Sequence, residues 1–191
     1  MLKKEYWKKS KTQPTVTLLQ GDITQEKTNA IVNTTTRNFE MAGGVDKAIT
    51  RAAGPGMKAA CSQYGSMEPS QVIITEGFDL EVPYIIHTVG PIYGQENGAE
   101  AELLAACYKN CLWMADQYNL ESITFPVIAT GIHGYPIEEA ATIMARSLGG
   151  YFFDPANMET KIKDIHCIVF TEDKYSIVEE QFEAIFNRDD S

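Results

Sequence analysis

Two stretches of the chain combine glycine, polar side chains and an ionisable group at spacings that suit anion binding. Asn33–Asp46 reads NTTTRNFEMAGGVD, and Ala129–Pro136 reads ATGIHGYP. Each follows an apolar run and precedes helix-forming residues, so each is a strand, glycine turn, helix unit. Glycine lets backbone N–H groups approach a ligand with no Cβ in the way. The helix that follows adds partial positive charge at its N-terminus. Two such loops facing each other would suit a diphosphate. His133, in the second loop, can hydrogen-bond a phosphate or simply cover it, and imidazole titrates near neutral pH. Taken singly, glycine turns of this kind are common. No GxxxxGK[ST] occurs and no GxGxxG follows a strand, which excludes a P-loop and the usual dinucleotide fingerprint.

The elements that must hold these loops follow from hydropathy patterning. Short β-branched or apolar runs predict strands at 15–19, 30–32, 71–75, 84–88, 122–128 and 165–170. Helices are expected at 45–53, 55–64, 100–118, 137–148 and 175–186. The stripe Leu103, Leu104, Cys107, Cys111, Met114 and Ala115 makes the third of these the clearest. Residues 90–98 and 149–164 read as surface excursions. Apolar strands alternating with helices indicate an α/β layered fold around a buried, largely parallel sheet. In such sheets ligands sit beyond the carboxyl ends of the strands, where both glycine loops fall. Residues 1–14 are expected to form an arm or an extra edge strand, and 15–191 a single domain.

Composition narrows the partners. The 191 residues carry a formal net charge of -10, which opposes a broad nucleic-acid surface or an anionic-membrane surface. An acidic protein must bind an anion locally, through backbone N–H groups and helix ends. Cys61, Cys107, Cys111 and Cys167 form no CxxC pair and no zinc spacing with histidine, so buried free thiols in a reducing compartment are expected. No signal peptide follows the basic start, and no apolar run nears the ~20 residues of a membrane span. His87 and His166 lie in predicted strands and read as packed polar residues.

Four ordered motifs, GDITQEKTNAIVN (21–33), AGGVDKAITRAAGP (42–55), IIHTVGPIY (85–93) and FPVIATGIHGYPIEEAA (125–141), resemble the macrodomain family, close to its MacroD-type branch. The resemblance covers roughly 15–186, nearly the whole chain. It implies a three-layer α/β/α sandwich with a mixed, largely parallel sheet. It also implies binding of ADP-ribose or an ADP-ribosylated protein. Members of the MacroD type remove ADP-ribose from acidic side chains and deacetylate O-acetyl-ADP-ribose. Neither a metal nor a cofactor is implied, and a cytoplasmic monomer is expected.

The resemblance also distributes roles. Asp22 would accept from the adenine amino group with Ile23 beside it; taken alone, Asp22 reads first as a helix cap or turn former. Phe170 would stack near the adenine, or else belong to the core. Ala42, Gly43, Gly44 and Val45 would line the distal ribose and phosphate. Thr130, Gly131, Ile132, His133 and Gly134 would wrap the diphosphate from the other side. Asp46, Asn33 and Thr36 occupy the catalytic positions. Asp46 would orient or activate water near the distal ribose, although a first-turn carboxylate is also favoured by the helix dipole alone.

The chain departs from the family where the chemistry is expected. The usual VNAAN reads VNTTT here, so Thr36 replaces the second asparagine and threonines replace both alanines. Ala42 replaces the first glycine of GGGVD, adding a Cβ to the approach. An asparagine amide both donates and accepts, whereas Thr36 offers one hydroxyl on a shorter stem. Two functions are therefore expected in competition: a hydrolase of ADP-ribosyl esters, and a reader that binds ADP-ribose without turnover.

Overall fold

The structure is a computed structural model that describes residues 1–6, 14–157 and 159–187. Seven strands form one mixed sheet: β1 (Lys3–Tyr6), β2 (Thr15–Gln20), β3 (Ala30–Thr35), β4 (Val72–Glu76), β5 (Tyr84–Val89), β6 (Ser122–Pro126) and β7 (Asp164–Val169). Their spatial order is β1-β2-β7-β6-β3-β5-β4. The five inner strands run parallel, and β1 and β4 close the two edges antiparallel. Residues 7–13, in the middle of the expected arm, lie outside the described residues.

Alternation along the inner strands sorts side chains to two cores. Ile31, Ile85 and Ile168 pack with Ile49, Ala53, Met57 and Cys61 of α1 (Gly44–Ala53) and α2 (Pro55–Cys61). Ala30, Val32, Ile86, Phe125 and Cys167 face the other way. They pack with α3 (Glu100–Gln117), α4 (Ile137–Phe153) and α5 (Glu172–Phe186). The result is a three-layer α/β/α sandwich, as expected.

Several boundaries differ from the sequence reading, and three of them have a clear physical cause. The apolar run ends at Val32, yet β3 continues to Thr35, because Asn33, Thr34 and Thr35 pair with His87, Thr88 and Val89 of β5. Helix α4 runs through Gly149 and Gly150 to Phe153, so the excursion starts later than 149. Burial of Tyr151 and Phe152 in the core overrides the poor helix propensity of two glycines. Helix α5 opens at Glu172, with Glu172 and Asp173 in its first turn, where the helix dipole favours acids.

The four cysteines are free and buried. Burial pushes the thiols up, to about 11 for Cys61 and Cys107, so they stay protonated and inert. No helix among the described residues is long and apolar enough to cross a membrane.

Candidate functional site

The loops after β2, β3, β6 and β7 open at one end of the sheet and enclose a cavity of about 480 Å³. Gly21, Asp22 and Ile23 form its lip after β2; Thr34–Thr36 and Gly43–Val45 form one wall, with Ala48 and Arg51 of α1 above it. Ala129–His133 form the opposite wall, and Ile168, Phe170, Thr171 and Lys174 close the end beside Asp22. Phe170 is 73% exposed and Ile132 59% exposed. Two large apolar side chains thus stand at the rim of a concave site with little packed against them, which is where ligand contacts concentrate.

Asp22 sits where β2 hands over to a single turn of 3₁₀ helix, Ile23–Gln25. Its Oδ1 accepts from the Thr24 amide at 2.9 Å and from the Thr24 hydroxyl at 2.8 Å. The capping reading and the ligand reading are therefore compatible: the cap fixes the carboxylate at the cavity lip. Gly43 has an extended backbone (φ -85°) and no side chain caps the start of α1. The first amides of the helix consequently lack side-chain acceptors, the arrangement that attracts an anion.

Across the cavity, Ala129 adopts φ 67°, a left-handed conformation that a non-glycine residue seldom takes. Gly134 at φ 70° completes the turn, with its amide donating to the Gly131 carbonyl at 3.0 Å. His133 contributes to the wall, and its buried Nδ1 makes no hydrogen bond among the described residues. Burial lowers its pKa, with the Gly90 carbonyl and Glu96 opposing, so the ring offers a neutral polar edge.

The loop from Thr36 to Gly43 is held by bonds within it and by its neighbours. The Thr36 hydroxyl accepts from the Glu40 amide at 2.9 Å, and Phe39 and Met41 both take left-handed φ, 55° and 51°. The Phe39 ring lies 6.4 Å from that of His87. Arg37 pairs with Glu68, and also with Glu96 at 3.8 Å. Two non-glycine residues at positive φ indicate a loop kept in a costly shape by its surroundings.

Beneath this wall lies a buried polar chain. Asn33 Nδ2 donates to Asp46 Oδ1 at 2.9 Å and to His87 Nδ1 at 3.2 Å. Thr35 Oγ1 donates to Asp46 Oδ2 at 2.7 Å. His87 Nε2 donates to Thr75 Oγ1 at 2.9 Å, and Thr75 in turn donates to the Glu76 carbonyl. Burial alone pushes the pKa of His87 down to about 3, so the ring stays neutral, with Nδ1 as acceptor. Asn33 Oδ1 is buried and makes no hydrogen bond among the described residues.

Of the residues that the resemblance assigned to the ligand or the chemistry, Asp22, Ile23, Thr36, Gly43, Gly44, Val45, Thr130, Gly131, Ile132, His133 and Phe170 come together around the cavity. Ala42 and Gly134 belong to its loops but not to its lining. Asn33 and Asp46 lie underneath it, 0% and 1% exposed, with the carboxylate engaged on both oxygens. Sequence reasoning passed over Ala48, Arg51 and Lys174. Ala48 and Arg51 stand four and seven residues after Gly44 on one helix face, and Lys174 stands four after Phe170; helical spacing from the glycine loops was the available signal.

Residues 32–144 match the Macro domain family model. The chain is a macrodomain. This macrodomain is 39% identical over 185 residues to human ADP-ribose glycohydrolase MACROD2, covering 96% of the chain but only 43% of that longer protein. It is 42% identical over 138 residues to the O-acetyl-ADP-ribose deacetylase of Salmonella newport, covering 70% of the chain and 77% of the relative. The solved macrodomain of Oceanobacillus iheyensis with ADP superposes with a TM-score of 0.89 at 36% identity, covering 98% of each chain. Two of these relatives are thus named for hydrolysis of ADP-ribose derivatives. Among its described residues no group of His, Cys, Asp and Glu is placed to hold a metal ion.

Proposed function

We propose that this macrodomain binds ADP-ribose in the cavity and hydrolyses ADP-ribosyl esters of acidic side chains, O-acetyl-ADP-ribose, or both. The observation that carries the binding is the cavity itself. Asp22 and Phe170 stand at one end. The uncapped start of α1 faces the Gly131–His133 turn across the middle, and Thr36 comes from the loop beyond. Adenine belongs at the Asp22 end, the diphosphate between the two glycine walls, and the distal ribose toward Thr36. The hydrolases among the relatives support turnover. Buried free thiols fit a reducing compartment, and we place the protein in the cytoplasm as a monomer.

A reader without turnover is the second reading, and one observation favours it: Asp46 is sealed below the cavity wall with both oxygens bonded. A single-turnover assay separates the two. An ester-linked ADP-ribosylated glutamate peptide is incubated with excess parent protein or Asp46→Ala, and ADP-ribose affinity is measured alongside. Release by the parent and not by the variant, with both binding ADP-ribose, establishes the hydrolase. Binding without release by either establishes the reader.

A further inference from the structure

The Asp46 carboxylate is fixed by two residues of one strand. Successive side chains of a strand alternate faces, so Asn33 and Thr35 of β3 both point toward α1, two residues apart. Asn33 takes Oδ1 at 2.9 Å and Thr35 takes Oδ2 at 2.7 Å. Asp46 is 1% exposed and lies off the cavity lining, whereas Thr35 belongs to that lining. Thr35 thus stands between the carboxylate and the cavity. In the family motif an alanine, with no donor to offer, occupies this position.

We propose that the Thr35 hydroxyl is a positioning group that keeps Asp46 turned away from the cavity and so slows ester hydrolysis. The proposal rests on the hydrolase reading given above. Hydrolysis consumes one water. The water oxygen bonds the ester carbon, one of its protons passes to the carboxylate and on to the leaving oxygen, and one carboxylic acid and one ribose hydroxyl result. For Asp46 to accept that proton, one of its oxygens must face the water. Oδ2 keeps a second lone pair, but Thr35 covers its cavity side, so reaching the water means giving up a short, charge-assisted hydrogen bond in a dry setting, where such bonds are strongest. The threonine in place of alanine therefore adds a barrier that the family motif lacks.

Thr35→Val keeps the shape and removes the donor; Thr35→Ser restores a donor. Single-turnover release of ADP-ribose from the ester-linked peptide is compared for the parent, both variants and Thr35→Val/Asp46→Ala, with ADP-ribose affinity measured for each. The valine variant should release ADP-ribose about tenfold faster than the parent, the scale set by losing one charged hydrogen bond. The serine variant should fall back toward the parent rate, and the added Asp46→Ala should abolish the gain. ADP-ribose affinity should change far less than the rate does, which a general loosening of the site would not allow. A valine variant no faster than the parent overturns the proposal. A slower one does so as well, because it makes the hydroxyl a helper that carries protons to Asp46. Failure of the hydrolase reading shows itself separately: neither the parent nor the valine variant then releases ADP-ribose although both bind it, whereas a parent that releases with no gain in the valine variant refutes the brake alone.

Discussion

Replacing Asp22 tests the proposed adenine end of the site. Its Oδ1 is committed to the Thr24 amide and hydroxyl at 2.9 and 2.8 Å, which leaves Oδ2 as the acceptor for a ligand amine. A hydrogen bond to a charged group contributes about 1.5–3 kcal/mol, and each ~1.4 kcal/mol is tenfold in affinity. Asp22 is exposed, and solvent screening places the loss at the low end of that range. Asp22→Ala should therefore weaken ADP-ribose binding roughly tenfold. Asp22→Asn should cost about half as much in free energy, since a neutral acceptor is roughly half as strong. Titration calorimetry with ADP-ribose reads these losses. Repeating it with the analogue whose base is hypoxanthine, an oxo group in place of the amine, tests the contact from the ligand side. The parent should disfavour the analogue, because its oxo group would oppose the carboxylate, and Asp22→Asn should reverse part of that preference by donating from its amide. Melting temperatures should barely move, because the cap closes a turn of three residues. If Asp22→Ala binds ADP-ribose within about twofold of the parent, or the parent does not distinguish the two bases, Asp22 does not read the adenine.

Three further outcomes are expected. Thr36→Asn should raise the rate of release, up to ~10²-fold if an ångström of ribose misplacement is corrected; a variant no faster than the parent in the same single-turnover assay puts the handicap elsewhere. His87, with its pKa pushed down to about 3 in the fold, binds a proton on unfolding between that pH and the ordinary value near 6.5. Its contribution to stability is full above that upper limit and is lost as pH falls, at up to ~1.4 kcal/mol per pH unit, so urea midpoints from pH 7 to 4 should fall less steeply for His87→Asn than for the parent. In Gly77→Ala the new Cβ would lie 1.7 Å from the Val82 carbonyl oxygen, which the backbone must move to relieve. The cost should reach or exceed the ~1–3 kcal/mol of ordinary overpacking, read as a lower denaturant midpoint with an unchanged slope.

The sandwich was readable because its inner strands are short apolar runs and its longer helices carry apolar stripes. The end of β3 was not readable from local pattern. Asn33 and Thr35 look like loop residues until Asp46 and His87, 13 and 54 positions from Asn33, arrive to bond them. Polar residues enter a buried strand only when distant partners satisfy them, and a local window cannot see those partners. The glycine walls were legible for the opposite reason: their chemistry is local, a turn and the helix it starts. Arg51 and Lys174 escaped because they reach the cavity from helix faces. Thr35 counted as a lost alanine in the motif, and its meaning appeared only with the carboxylate it binds.

Strand β7 is the keystone of the sheet. It lies between β2 and β6, so until residues 164–169 are made the chain consists of two separate ribbons. The cavity shares that dependence. Asp22 comes from the loop after β2, the glycine walls from the loops after β3 and β6, and Phe170 and Thr171 from the end of β7 itself. During synthesis, then, most of the protein can emerge before the cavity is complete, and a chain cut before β7 has the walls without the end that faces Asp22. On the proposed function, nucleotide binding is in this sense a checkpoint on completeness. It reports that the last strand has slotted home, and it stabilises only chains in which that has happened.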